Sequence, residues 1–250
     1  MSAYGEFAVF YDELTGNVDY AAISDFLHKA LLKYHIPDGI LLDLACGTGN
    51  ICETFAKIGY EMIGVDGSED MLSEALDKKV SSGADIIYLC QKMQELDLYG
   101  TVDAAFCTLD SLNHLSNIRE LQLVLNRVSL FLNPGGIFIF DCNTLYKHQK
   151  VLASNTFVYD CDEVYCVWQN TLIDQNTVQI HLDIFRQDEE DDEVFYRSEE
   201  EFCETAYSDS EIVACLEAAG LELMERYDDY TDSPPSETTQ RIVYIVKKKG

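Results

Sequence analysis

The stretch Leu41-Leu42-Asp43-Leu44-Ala45-Cys46-Gly47-Thr48-Gly49-Asn50, with Ile63-Gly64-Val65-Asp66 after it, decides the fold of this chain. An apolar run of strand type closes on an acid, a glycine-rich turn and a helix-like stretch follow, and a second apolar run closes on another acid. That is the pattern of a βαβ unit with a nucleoside-sized site at the carboxyl edge of its strands. A dinucleotide site wants a third small residue in G-x-G-x-x-G/A, so that pyrophosphate can approach bare backbone at the helix N-terminus. Counted from Gly47, that place holds Cys52. Asp43, where the strand opens into the turn, would repel a diphosphate and attract a ligand carrying an ammonium and a sulfonium. Asp66 is placed to accept hydrogen bonds from both hydroxyls of a ribose. The chain has no G-x-x-x-x-G-K-[ST] run, which removes a P-loop.

Outward from this unit the pattern repeats. Ile23, Phe26, Leu27, Ala30 and Leu31 recur at helical spacing after Asp19, and Pro37-Asp38-Gly39 stops that helix. Strands are expected at 40–44, 61–65, 85–90, 102–108 and 137–141. Helices are expected at 49–58, after Ser68 as N-cap, and through Ile118, Leu121, Leu125 and Val128. Five repeats of strand then helix make the fold α/β, with a doubly wound, mostly parallel sheet. Past Asn143 the period becomes two: Val178, Ile180, Leu182 and Ile184 alternate with Gln179, His181, Asp183 and Phe185. Strand-like runs recur at 157–160, 163–169 and 194–203, so 143–207 reads as a small antiparallel β insert. A helix at 208–219 and a closing hairpin at 221–227 and 241–246 complete the α/β domain, formed by 1–142 and 208–250.

With 250 residues, 47% of them hydrophobic, the chain can bury a full core. Its apolar runs stay at strand length, below the ~18 residues of a membrane span, and no basic start precedes an apolar block. Neither a membrane span nor a signal peptide is expected. Nine cysteines, an odd number without C-x-x-C spacing, argue for a reducing, cytoplasmic setting rather than a disulfide framework. The formal charge of -28 opposes nucleic acid and anionic membranes as partners. The acidic run Asp188-Glu189-Glu190-Asp191-Asp192-Glu193 reads as a solvated hairpin tip; it lacks the glycine turn and spacing of a calcium loop, and no metal site is assigned.

The run from Asp43 to Gly49 resembles the first motif of class I S-adenosylmethionine (SAM)-dependent methyltransferases. The resemblance extends over nearly the whole chain. It is carried by the Phe10-Tyr11-Asp12 entry, Asp66, Cys90-Gln91-Lys92-Met93, Asp110-Ser111-Leu112-Asn113-His114, and Leu132-Asn133-Pro134-Gly135-Gly136 before a strand. It implies a seven-stranded sheet of order 3-2-1-4-5-7-6, SAM as methyl donor and S-adenosylhomocysteine as product. The loops after the strands gather at one sheet edge, so the site is expected from Asp43 to Asn50, Asp66 to Met71, Gln91 to Met93 and Thr108 to His114. These segments bring in Cys46, Asn50, Gly67 and Thr108. By resemblance, Asp43 and the Ala45 to Gly47 backbone hold the methionine part, Asp66 the ribose, and Met71 with Met93 the adenine. Leu109 borders the methionine side and Tyr11 closes over it. Lys92 stands where this family usually has an acid that accepts from the adenine amino group. An ammonium only donates, so that bond is lost, at about 1 kcal/mol of adenine binding.

Methyl transfer from a sulfonium asks mainly for in-line positioning in a dry pocket. Where the acceptor must lose a proton, Asp110 and His114 are the candidate bases and Asn113 the candidate orienting group. Helix capping by Asp110 and simple packing of His114 are the structural alternatives. The insert follows strand five, so it is expected to cover the site as a lid, lined by some of Phe157, Tyr159, Tyr165, Trp168, Tyr196 and Phe202. Half of these face away under period two. Arg186, Arg197 and His181 could meet an anionic acceptor or pair with neighbouring acids. The expected function is methyl transfer from SAM to a small-molecule acceptor. The alternative is a SAM-binding regulatory or partner protein without turnover, which Lys92 slightly favours. Cys52 and Asp43 disfavour a nicotinamide oxidoreductase. Acceptor identity, methylated atom and oligomeric state are not encoded in any motif.

Overall fold

Leu41 and Leu42 are both fully buried although they point to opposite sides of one strand, so apolar layers cover both faces of the sheet. The computed structural model describes residues 5–188, 191 and 193–249. Glu189, Glu190 and Asp192 of the expected acidic hairpin tip lie outside the described residues. The α/β body begins α1 (Gly5–Leu14), α2 (Tyr20–Lys33), β1 (Ile40–Leu44), α3 (Asn50–Lys57), β2 (Glu61–Asp66), α4 (Glu69–Ser82), β3 (Ile86–Cys90). It continues with β4 (Val102–Cys107), α5 (Ile118–Phe131) and β5 (Leu132–Asn143). Four strands follow, β6 (Thr156–Asp160), β7 (Val164–Leu172), β8 (Thr177–Gln187) and β9 (Phe195–Thr205). The chain then closes with α6 (Asp209–Ala218), β10 (Leu221–Asp228) and β11 (Arg241–Lys248).

The seven-stranded sheet has the order β10-β11-β5-β4-β1-β2-β3, which is the expected 3-2-1-4-5-7-6 read from the other edge. β11 pairs antiparallel with both β5 and β10, while β1 to β5 pair in parallel. Leu41 packs with Leu27 and Leu31 of α2 and Phe55 of α3 on one face. Leu42 and Leu44 pack with Leu121, Val124 and Val128 of α5 and Leu216 of α6 on the other. The expected strands and helices hold to within a few residues, except that β5 begins at Leu132 and carries Pro134-Gly135-Gly136 within it. Local signals set the helix ends: Asp19 caps α2, Ser68 caps α4, and Ser208 with Glu211 forms a capping box on α6.

β6 to β9 form a separate antiparallel sheet in sequential order. Its inner face, Val164, Cys166, Val178, Ile180, Leu182 and Ile184, packs against Phe10 and Leu14 of α1. Burying each of those two side chains contributes roughly 1.5–3 kcal/mol, which explains why the N-terminal segment is helical. The sequence reading took Phe10-Tyr11-Asp12 only as an entry motif and missed the helix. No helix among the described residues is long and apolar enough to cross a membrane.

Candidate active site

The glycine turn after β1 alternates left-handed residues: Ala45 at φ 60°, Gly47 at 53° and Gly49 at 80°. Gly49 suits its place because any side chain would have to hold φ 80° and would meet the Tyr88 hydroxyl and Ala75. Asp66, ending the neighbouring strand, fixes the turn by accepting from the Gly47 amide at 2.9 Å and from the Ser68 amide at 2.8 Å. Burial raises the Asp66 carboxyl while these backbone donors oppose the rise. Deeper in, Asp43 is 1% exposed and, among the described residues, accepts a weak S–H bond from Cys52 at 3.4 Å and no other side-chain bond. Burial, partly offset by that thiol and reinforced by Asp66, pushes its carboxyl up to about 7. A buried carboxyl so poorly solvated is a site prepared for a cation.

A second strained turn follows β4, where Leu109 and Asp110 both adopt left-handed backbone at φ 57° and 56°. Asp141 of β5 holds it, accepting from the Leu109 amide at 2.7 Å and the Asp110 amide at 2.6 Å. Arg241, at the start of β11, donates to Asp110 Oδ1 at 2.6 Å and lies 3.5 Å from Asp141 Oδ1. Tyr230 donates its hydroxyl to Asp141. Burial would raise the Asp110 carboxyl, but Arg241, Lys147, His114 and the Asn143 amide outweigh it and hold it at about 2.

These two turns open onto one cavity of about 710 Å³, within the range of small-molecule sites. Its near wall is Gly47, Asp66, Met71, Lys92 and Met93, and its far wall is Tyr159, Cys166, Trp168, Leu182 and Phe202 of the insert. Tyr11 and Phe7 of α1 roof it, edge to face with centroids 5.6 Å apart. α1 is clasped to the glycine turn through Asp12, which accepts from Thr48 at 2.7 Å and Asn50 at 2.8 Å and pairs with Lys78.

Residues 41–136 match a family model described as a methyltransferase domain. A protein of Geobacillus sp. (strain WCH70), provisionally named a methyltransferase, is 30% identical over 98% of this chain and 99% of its own length. The solved structure of an S-adenosylmethionine-dependent methyltransferase from Clostridium acetobutylicum ATCC 824 matches at TM-score 0.89 and 36% identity, over 98% of each chain. The chain belongs to the class I SAM-dependent methyltransferase family. A sugar N-methyltransferase from Streptoalloteichus sp ATCC 53650 shares the fold at TM-score 0.79 and 19% identity, over 98% of this chain and 93% of its own.

Within this methyltransferase, Tyr11, Ala45, Gly47, Asp66, Gly67, Met71, Lys92, Met93 and Leu109 line the large cavity, as do Asp110 and His114. Asp43, Cys46, Asn50 and Thr108 line a narrower cleft that shares Ala45, Gly47 and Leu109 with it. Three expectations change. Asn113 is fully buried and its amide is committed to the framework, donating to the Thr205 carbonyl at 3.0 Å and accepting from the Asn143 amide at 2.8 Å. It braces the insert and does not orient an acceptor. Asp110, bound to Arg241 and held at about 2, is too weak a base for proton abstraction near neutrality. The Asn50 side chain serves the clasp, donating to Asp12 and accepting from Lys78 at 2.8 Å.

Of the insert's aromatic residues, Tyr159, Trp168 and Phe202 reach the cavity, whereas Tyr165 is exposed on the outer face and Tyr196, on the inner-face register of β9, is exposed outside the cavity lining. Arg197 pairs with Asp183 and Glu199, His181 lies 3.6 Å from Asp183, and Arg186 sits over the Tyr196 ring. Arg197 and His181 serve the outer face of the insert, and Arg186 is committed to Tyr196. The sequence reading missed Arg241, Lys147 and Glu204, all of which line the cavity. No local motif marks Arg241 or Glu204, which meet Asp110 and Asn143 across 131 and 61 residues of chain; Lys147 meets Asn143 four residues away, in a segment the pattern left unassigned.

Proposed function

We propose that this protein transfers the methyl group of SAM to a small-molecule acceptor bound between the α/β sheet and the insert. The carrying observation is a single cavity that runs from the Gly47–Asp66 turn to the aromatic inner face of β6 to β9. In this reading 1–142 and 208–250 form the SAM-binding domain, and 143–207 is the subdomain that covers the acceptor. The residues fit the donor. Asp43 offers its poorly solvated carboxyl to the ammonium and sulfonium end, Asp66 offers lone pairs to the ribose, and Met71 and Met93 offer apolar contact to the adenine. Cys46, Gly67, Thr108, Leu109 and Tyr11 complete the enclosure. The insert and α1 exclude water, so positioning and desolvation carry the catalysis.

Formal charge -28 and a cavity walled on both sides support a small acceptor over nucleic acid. Nine free cysteines fit a reducing cytoplasm. Calorimetric titration with SAM, S-adenosylhomocysteine and NAD in parallel tests the reading. Binding of the first two and not of NAD is expected; NAD binding, or no binding of SAM, would overturn it. Lys92 at the cavity rim favours a second reading, SAM binding without turnover, which predicts SAM binding with no methylated product from any acceptor in a broad metabolite screen.

A further inference from the structure

Glu204 of β9 brings a third carboxylate into the cavity beside Asp66 and Asp110, this one from the insert side. Behind it lies His148, 0% exposed, on a π-helical turn, Lys147–Leu152, of the kind that concentrates at functional sites. His148 Nδ1 is 2.9 Å from the Asn176 carbonyl oxygen. A carbonyl only accepts, so Nδ1 carries the hydrogen and the neutral ring presents its lone pair at Nε2. That buried Nε2 has no hydrogen-bond partner and stands 3.7 Å from Glu204 Oε2. Without a proton, a lone pair faces a carboxylate. With one, the two close into a charge-assisted hydrogen bond, whose usual length is about 2.7–2.9 Å. The two facing acceptor atoms, His148 Nε2 and Glu204 Oε2, leave a place for one shared hydrogen between them.

The charged groups around it leave this role to Glu204. Asn143 Nδ2 donates to Asp110 Oδ2 at 2.7 Å and to Glu204 Oε2 at 3.2 Å, bridging the two carboxylates. Asp110 is already neutralised by Arg241, and Lys147 Nζ donates to Asn143 Oδ1 at 2.8 Å. Among the described residues Glu204 has His148 as its ion-pair partner and no Lys or Arg. His114 stands against Phe202, which shares the inner face of β9 with Glu204, with ring centroids 5.1 Å apart. The aromatic wall of Tyr159, Trp168 and Phe202 beside a carboxylate suits a cationic guest.

We propose that Glu204, with His148 as its positioning residue, is the proton acceptor of methyl transfer, and that the methyl acceptor is an amine. This rests on the methyltransferase reading. The acceptor's ammonium gives its proton to Glu204, which shares it with His148 Nε2, and the freed nitrogen lone pair attacks the methyl carbon. The N–C bond forms as the C–S bond breaks, and the sulfur keeps the electron pair and becomes a neutral thioether. The product leaves as a methylated ammonium, and the pair returns its proton to water.

The test titrates the His148 ring by NMR in protein loaded with S-adenosylhomocysteine and in its Glu204→Gln variant, which keeps the acceptor for Asn143. The wild-type ring is expected to take its proton at least about one pH unit higher than the variant's; coincident titrations would overturn the pair. Transfer of labelled methyl to cyclohexylamine, benzylamine and glucosamine is the second arm. Glu204→Gln should lower kcat about 100-fold or more while SAM affinity holds, and Glu204→Asp should recover part of the loss. His148→Asn should move the acid limb of the kcat profile without changing KM for SAM. Transfer by Glu204→Gln at the wild-type rate would sink the proposal. A wild-type protein that fails to bind SAM in calorimetry is a separate result, which removes the methyltransferase reading itself.

Discussion

Asp43 should make the protein less stable as the pH rises, and Asp43→Asn should remove that effect together with SAM binding. The folded-state carboxyl sits at about 7, driven up mainly by burial, against 3.8 for the same group in ordinary surroundings. Between those values the folded chain holds a proton that the unfolded chain has released, so stability is lost as pH rises through the window. At about 1.4 kcal/mol per unit, the full loss is on the order of 4 kcal/mol, of which roughly 2–3 kcal/mol falls between pH 5 and pH 8. Asparagine keeps the shape and an acceptor for the Cys52 thiol but does not titrate. Urea unfolding at several pH values should show the variant gaining on the wild type by that amount as pH rises. Removing a charged contact to the ligand should weaken SAM binding by about 1.5–3 kcal/mol, or roughly 10- to 150-fold. SAM binding to the wild type should release protons near pH 6 to 7, seen as heats that depend on the buffer's ionisation enthalpy. A stability difference that stays constant from pH 5 to 8 would refute the reasoning, because the carboxyl would then already be ionised in the folded state.

Lys92→Asp restores an acceptor for the adenine amino group and should tighten SAM binding about five-fold, for about 1 kcal/mol; unchanged or weaker affinity in calorimetry would mean that backbone groups read the base. Asp110→Asn should lower stability at pH 7 by about 2 kcal/mol. The Asp110 contribution is present above 3.8 and is lost as pH falls through about 2, so the two denaturation profiles should converge in acid. Arg241→Gln leaves Asp110 and Asp141 without their shared guanidinium and should destabilise by about 3–5 kcal/mol, a loss that shrinks at acid pH as the carboxylates protonate; a loss under about 1 kcal/mol would show the pair to be solvent-screened. Gly49→Ala must adopt φ 80° and push its methyl against Tyr88. It should lose at least about 1 kcal/mol of stability and most SAM affinity, and a variant with wild-type melting and binding would show that the turn tolerates a side chain.

The half of the cavity proposed to hold the cofactor carries local signals in the sequence. Asp43, Gly47, Gly49 and Asp66 lie within one βαβ unit, where strand ends and turn backbone dictate residue type at fixed spacing. The insert was legible for the same reason: Val178, Ile180, Leu182 and Ile184 alternate, and all four are buried on one face of β8. α1 was missed although Phe7, Phe10 and Leu14 fall at helical spacing, because the surface that makes this short segment a helix belongs to the insert, far along the chain. The polar end of the cavity was misread for a related reason. Asp110, Asn113 and His114 stood together in sequence and looked like one chemical group. In the fold Asp110 is tied to Arg241 and Asn113 to Thr205, and of the three only His114 keeps its ring against the insert's aromatic wall.

That division has a consequence for where specificity resides. The groups expected to hold SAM come from β-strand ends of the seven-stranded sheet and owe little to the insert. In the proposed reading the groups that face an acceptor come from both sides, and Asn143, the last residue of β5, joins them. Its side-chain amide bonds Asp110, Glu204 and Lys147, and its backbone bonds Asn113. A change in the inner face of β6 to β9 can therefore alter the acceptor without disturbing the donor site, provided that this amide keeps its partners. Replacing Trp168 or Phe202 should change acceptor choice, whereas replacing Asn143 should cost about the energy of several buried hydrogen bonds and disturb the whole acceptor end at once.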